Sequence, residues 1–161
     1  MRTPLVTREG YNRLRNELDH LWRVERPEIT RKVTWAASLG DRSENADYQY
    51  NKKKLREIDR RVRYLRKALE NLRVVDYDPV QEGKVFFGAW CKLERDDGKE
   101  LTVHIVGYDE IFGQAHCISI DSPMARALVG KEIDDDIVVK TDLQTAEWTI
   151  IDIWYKAKQS D

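Results

Sequence analysis

Two carboxylates three residues apart, Asp41 and Glu44, lie in a short turn-like segment, Gly40-Asp41-Arg42-Ser43-Glu44-Asn45-Ala46-Asp47. Two chemistries suit that spacing. One is a capping box, with Asp41 as N-cap and Glu44 three residues on, satisfying the first amides of a following helix. The other is a shared divalent-metal site. Mg²⁺ takes six hard oxygen ligands and keeps several waters, so two exposed carboxylates cannot hold it alone. They can hold it jointly with carboxylates and phosphates of another active site, where the metal would activate a water toward a phosphodiester. One carboxylate can also do both, capping with one oxygen and offering the other.

A second chemical signal follows. Residues 52–67 contain nine basic side chains and two acids, Glu57 and Asp59. Lys53, Arg56, Arg60, Arg63 and Lys67 recur at 3-4-3-4, one side of a helix, and Lys52, Lys54, Arg61 and Arg66 widen the band. A solvated helix face would intersperse more acids, so the run reads as a track for a phosphate backbone. Tyr48 and Tyr50, between the acids and the track, are candidates for base stacking, although Tyr48 also fits an apolar seam.

The remaining reactive side chains form no site. Cys91 and Cys117 are far apart with no Cys-x-x-Cys, as expected of reduced thiols, and His20, His104 and His116 complete no metal-ligand spacing with them. No apolar run is long enough to cross a bilayer and the N-terminus has no signal-peptide core, so a soluble cytoplasmic protein is expected. Charged residues make up 35% of the chain, which predicts an extended, highly solvated element. The formal net charge of −1 hides a split of +6 over residues 1–78 and −7 over residues 79–161, which suggests two domains with different tasks.

The elements that must position these residues are legible. Thr7 is a suitable N-cap, and Tyr11, Leu14, Leu18 and Leu21 follow at 3-4-3, continued less regularly by Trp22, Ile29 and Val33. Pro27 should kink this helix or remove one hydrogen bond. Tyr48, Asn51, Leu55, Ile58, Val62, Leu65, Leu69 and Leu72 make a second seam at heptad spacing with one polar position. The short link between them, from Ser38 to Ser43, predicts an antiparallel helical hairpin. Its second helix, residues 45–72, would be roughly 40 Å long and would project as an arm with the acidic turn at its end. Past Tyr77-Asp78-Pro79 the period changes. Residues 84–93, 101–106, 115–120, 137–140 and 146–155 read as strands, with a hairpin turn at Asp96-Asp97-Gly98 and one short helix from Ser122-Pro123 to Gly130. The expected organisation is α+β: a hairpin domain over residues 1–78 and a mostly antiparallel sheet domain over residues 79–158.

The segment from Gly40 to Tyr50, Gly-Asp-Arg-Ser-Glu-Asn-Ala-Asp-Tyr-Gln-Tyr, resembles the tip motif of the bacterial Gre transcript-cleavage factors. The basic run after it is similar to the GreB type rather than to GreA. Further likeness lies at Thr3-Pro4-Leu5-Val6-Thr7, at Ile105 to Glu110, and at Ile118 to Leu128; the segment after Lys140 matches least. The resemblance implies a coiled-coil hairpin joined to an FKBP-like domain without isomerase activity. It implies a factor that enters the secondary channel of a backtracked RNA polymerase and stimulates the polymerase to cut its own extruded RNA. Carried over by residue, Asp41 and Glu44 would hold a catalytic Mg²⁺ shared with the polymerase, and Ser43 would assist. Lys52, Lys53, Lys54, Arg56, Arg60, Arg61, Arg63 and Lys67 would meet the RNA 3′ segment, and Asp121, Ser122 and Pro123 would lie near the polymerase-docking surface. The last three also read as a plain helix start. No metal is expected on the free protein, and a monomer is expected. Two rivals remain open: a regulator that occupies the channel without promoting cleavage, and a peptidyl-prolyl isomerase using a cleft of Phe86, Phe87, Trp90, Tyr108, Phe112 and Trp148.

Overall fold

The computed structural model describes residues 2–40 and 45–155. They divide into two compact units, Tyr11–Leu72 and residues 2–10 with 73–155. In chain order the elements are β1 (Leu5–Thr7), α1 (Arg8–His20), α2 (Arg26–Ala37), α3 (Ala46–Asn71), β2 (Arg73–Val75), β3 (Trp90–Arg95), β4 (Glu100–Val106), β5 (Cys117–Ser119), α4 (Pro123–Leu128), β6 (Asp136–Lys140) and β7 (Thr145–Trp154). The fold is α+β, with the helical hairpin and the sheet expected from the sequence.

In the hairpin unit, Ile29, Ile58 and Val62 are buried, with Leu18, Leu21, Val33 and Leu55 packed against them. The first strand of the seam is irregular for a geometric reason. Leu21, Glu25, Ile29 and Val33 step by four three times, twelve residues where three α-helical turns hold about 10.8. A π-helical stretch at Leu21–Glu25 takes up the surplus and keeps Ile29 facing α3. Pro27, which donates no backbone hydrogen bond, falls in the first turn of α2, so the interruption expected at the proline appears as a widened turn just before it. On α3 the polar seam residue Asn51 is buried, and its Nδ2 donates to the carbonyl of Asp47 at 2.9 Å.

The other unit holds a five-stranded sheet ordered β5-β4-β3-β7-β6. Every pair is antiparallel except β4 with β5, which run parallel because Tyr108–Glu110 and the loop after it carry the chain back across before β5. Gly98, at φ +88°, closes the β3–β4 hairpin as the Asp-Asp-Gly motif predicts. One face of the sheet is sealed by Ala125 and Leu128 of α4 over Cys91, Leu93, Ile105, Ile137 and Ile150. The strand expected over residues 84–93 starts only at Trp90. Gly88 adopts φ +91°, so the chain turns before the ladder begins. A register shift opposite Lys92 and Leu93 leaves Ile151 as a bulge in β7.

Sequence reading missed the smallest sheet, the parallel pair β1–β2, which joins Val6 to Val74 across 68 residues. Thr7 caps α1 as expected, its Oγ1 accepting from the Gly10 amide at 3.0 Å. Behind it lies Glu110, only 3% exposed. Its carboxylate accepts from the Thr7 amide at 3.0 Å, the Gly107 amide at 2.8 Å and the Thr7 hydroxyl. A Cβ at Gly10 would overlap that carboxylate, which is why the first turn of α1 carries a glycine despite its helical cost.

Candidate nucleic-acid interface

The helix that carries the basic run begins at Ala46. Asn45 is its N-cap, extended at φ −87° and ψ 102°, with Oδ1 accepting from the Tyr48 amide at 3.0 Å. The N-cap of α3 thus lies one residue beyond Glu44, and the capping box expected of Asp41 and Glu44 falls on residues outside the described ones. The other end of the Asn45 side chain donates to the carbonyl of Ala36 at 2.8 Å, so one amide both starts α3 and closes the C-terminal end of α2. Asp41, Ser43 and Glu44 themselves lie outside the described residues. Asn45 brings the two helix ends that border them within reach of a single side chain.

At roughly 100° per residue, Lys53, Arg56, Arg60, Arg63 and Lys67 fall within about a quarter of the α3 circumference, on the side opposite the seam. All five are exposed, and none pairs with a carboxylate among the described residues. Lys54 is exposed and Lys52 half-buried. Arg61 is committed elsewhere. Its guanidinium forms a bidentate pair with Glu17, Nε to Oε2 at 2.6 Å and Nη2 to Oε1 at 2.9 Å. The two acids within the run do not neutralise the track evenly, since Asp59 turns to Arg26, with Nε to Oδ1 at 2.7 Å. That carboxylate raises the pKa of the Arg26 guanidinium further. Tyr50 stands 65% exposed where the track begins, while Tyr48 is half-buried, which favours Tyr50 as the stacking candidate. The arrangement suits a polyanion laid along α3, with attraction that weakens as salt rises.

Asp121, Ser122 and Pro123 have structural tasks. Asp121 accepts from the Thr3 amide at 2.7 Å and from the Thr3 hydroxyl, and these bonds hold its carboxyl below the usual carboxylate range. Ser122 caps α4, its Oγ accepting from the Ala125 amide at 3.2 Å, and Pro123 is the exposed first residue of that helix. The six aromatics considered for an isomerase cleft are spread over different contacts. Trp148 is a core residue, Trp90 stacks on His104 at 4.2 Å, and Phe112 meets Tyr108 edge-on at 5.3 Å. Among the described residues no group of three or more His, Cys, Asp or Glu could hold a metal ion, and no helix is long and apolar enough to cross a membrane.

Sequence reading did not single out Asn45, Arg26 or Glu17. The Asn before an apolar-periodic run was the available signal for the first; the other two act through partners 33 and 44 residues away.

Residues 4–74 match the family model "Transcription elongation factor, N-terminal", and residues 80–155 match "Transcription elongation factor, GreA/GreB, C-term". The chain is 65% identical over 155 residues to transcription elongation factor GreB of Pseudomonas putida, covering 96% of each. It is 59% identical over 160 residues to the GreB of Vibrio vulnificus, covering 99% of this chain and 100% of that one. Thermus aquaticus Gfh1, a solved structure, is 24% identical with a TM-score of 0.44, covering 95% of this chain and 99% of that one. With two family models that between them span nearly all of its length, and full-length relatives at these identities, the chain belongs to the GreA/GreB family of transcription elongation factors.

Proposed function

We propose that the protein enters the secondary channel of a backtracked RNA polymerase and stimulates cleavage of the extruded RNA by the polymerase active site, so that an arrested complex resumes elongation. The observation that carries this reading is the row of five exposed cations on α3 with no carboxylate partner among the described residues, in the same hairpin whose sequence carries Asp41 and Glu44 between α2 and α3. A phosphate track beside a pair of acids is the combination needed to guide an RNA 3′ segment toward a metal-assisted cut.

In this proposal Asp41 and Glu44 hold Mg²⁺ jointly with the polymerase. Two carboxylates match the hard-oxygen preference of Mg²⁺ but leave the shell incomplete, which accounts for dependence on a partner's ligands. When bound, the ion would supply charge stabilisation and an activated water at the phosphodiester. Ser43 stands between the two acids in sequence and would assist there. Lys52, Lys53, Lys54, Arg56, Arg60, Arg63 and Lys67 hold the RNA backbone, and Arg61 contributes less because Glu17 occupies its fork. The surface at Asp121, Ser122 and Pro123 docks on the polymerase, with Pro123 the exposed member.

Stalled elongation complexes with end-labelled RNA test the reading. Asp41→Ala and Glu44→Ala are expected to bind the complex as the wild type does, yet release few 3′ fragments. Full cleavage by the double variant would eliminate the metal-donor mechanism. Binding by the wild type without any cleavage would establish instead a channel-occupying regulator.

A further inference from the structure

We propose that Trp22, Arg26 and Arg66 form a clamp for single-stranded RNA at the end of the basic track remote from Asn45. This rests on the cleavage-factor reading and extends it from the basic run, to which Arg66 belongs, to Trp22 and Arg26 outside that run. Trp22 lies in the π-helical stretch Leu21–Glu25 and is 45% exposed, a large aromatic surface left in water. Two guanidiniums lie over its ring. The Cζ of Arg66 is 4.5 Å from the ring centroid and that of Arg26 is 5.2 Å. Arg26 is further fixed by Asp59, Nε to Oδ1 at 2.7 Å. Arg66 pairs with no carboxylate among the described residues and stands three positions beyond Arg63, so the clamp continues the track around α3.

The chemistry selects the ligand. A guanidinium stacked on an indole keeps its edge N–H donors for a phosphate oxygen and its outer face for a base. Its rotamer is already ordered by the ring, so less freedom is lost on binding. Of Arg26, Arg63 and Arg66 only Arg26 pairs with an acid among the described residues, Asp59, which leaves an excess of positive charge suited to a phosphodiester. An acidic protein surface would need no aromatic platform. From Lys53 to Arg66 the helix rises roughly 20 Å, so only RNA extruded well past the loop would reach the clamp.

The experiment compares Trp22→Leu and Arg66→Gln with the wild type, as full chains, on barely backtracked and deeply backtracked polymerase complexes. The measured quantity is the protein concentration for half-maximal cleavage as salt is varied, with far-UV circular dichroism to verify the helical content. Each substitution is expected to raise that concentration about five- to ten-fold on deeply backtracked complexes, the scale of one base–aromatic stack. Trp22→Leu, outside the basic run, is expected to leave barely backtracked complexes unchanged. Arg66→Gln should also reduce the salt slope by about 0.7, the value for one neutralised phosphate of a single strand. Extruded RNA carrying 4-thiouridine should crosslink to the hairpin near Trp22 in the wild type and not in Trp22→Leu. Equal losses on both kinds of complex, with no such crosslink, would identify a contact with the polymerase surface and overturn the clamp. Absence of wild-type cleavage on both complexes would instead overturn the cleavage reading, and the clamp with it.

Discussion

Replacing Glu110 by alanine removes the acceptor for two backbone amides and one hydroxyl, in a place only 3% exposed. The Thr7 and Gly107 amides lose partners at 3.0 and 2.8 Å. A buried donor left unsatisfied costs about 1–3 kcal/mol, and a hydrogen bond to a charged group contributes about 1.5–3 kcal/mol. Two stranded amides therefore give an expected loss of about 4 kcal/mol, reduced somewhat because the carboxylate no longer has to be desolvated. With an m-value near 2 kcal/mol per molar urea, the unfolding midpoint should fall by about 2 M. The assay is tryptophan fluorescence in a Trp22→Phe, Trp35→Phe background. Of the five tryptophans only Trp90, Trp148 and Trp154 then report, all in the unit that contains Glu110. Gly10→Ala supplies the cross-check. Its Cβ overlaps the Glu110 carboxylate, so it should destabilise the wild type yet cost much less once Glu110 is alanine. A loss below about 1 kcal/mol for Glu110→Ala, or strict additivity with Gly10→Ala, would refute the claim that this carboxylate secures the N-terminal strand.

The remaining expectations are simpler. Asp97 is held at about 2 by the Arg95 guanidinium and the Lys99 amide, and Asp121 and Asp76 are lowered by Thr3 and Arg8. A carboxyl depressed in the folded state stabilises above its unfolded pKa and loses that contribution as pH falls, so the midpoint of the sheet-bearing unit should drop from about pH 4 toward pH 2. Asp97→Asn should flatten the decline, and an unchanged acid limb would refute the assignment. The Cys91 thiol, fully buried, is pushed up to about 12 by desolvation, whereas Cys117 is half-exposed. A disulfide-exchange reagent at pH 8 should therefore modify one thiol in the native protein and the second only on unfolding; prompt modification of both would contradict the packing. Neutralising Lys53, Arg56 and Arg60 together should weaken cleavage on long extruded RNAs more than on short ones, and the difference should fade with salt; equal effects would leave the row a solvated face.

How much of this was legible in the chain depends on the range of the interaction. Heptad spacing from Tyr48 to Leu72 located α3, and the 3-4-3-4 recurrence of Lys53 to Lys67 put the cations on one side of it, because a helix turns linear spacing directly into a face. Thr7, Ser122-Pro123 and Asp96-Asp97-Gly98 marked boundaries correctly, since caps and tight turns are satisfied within a few residues. The strand expected over residues 84–93 started late because its hydrophobic content hid the turn at Gly88.

What the amino-acid order determined by itself was local: the helices, their faces, the basic track, and the motif that marks the family. The tertiary structure decided which basic side chains remain available. Arg61 is drawn to Glu17, Arg26 to Asp59, and Arg66 to Trp22. It also decided that Val6 pairs with Val74 and that Glu110 lies behind Thr7. Each of these joins residues tens of positions apart, and no local periodicity encodes such a meeting. It exists only once the packed chain has met the entropy of bringing those residues together.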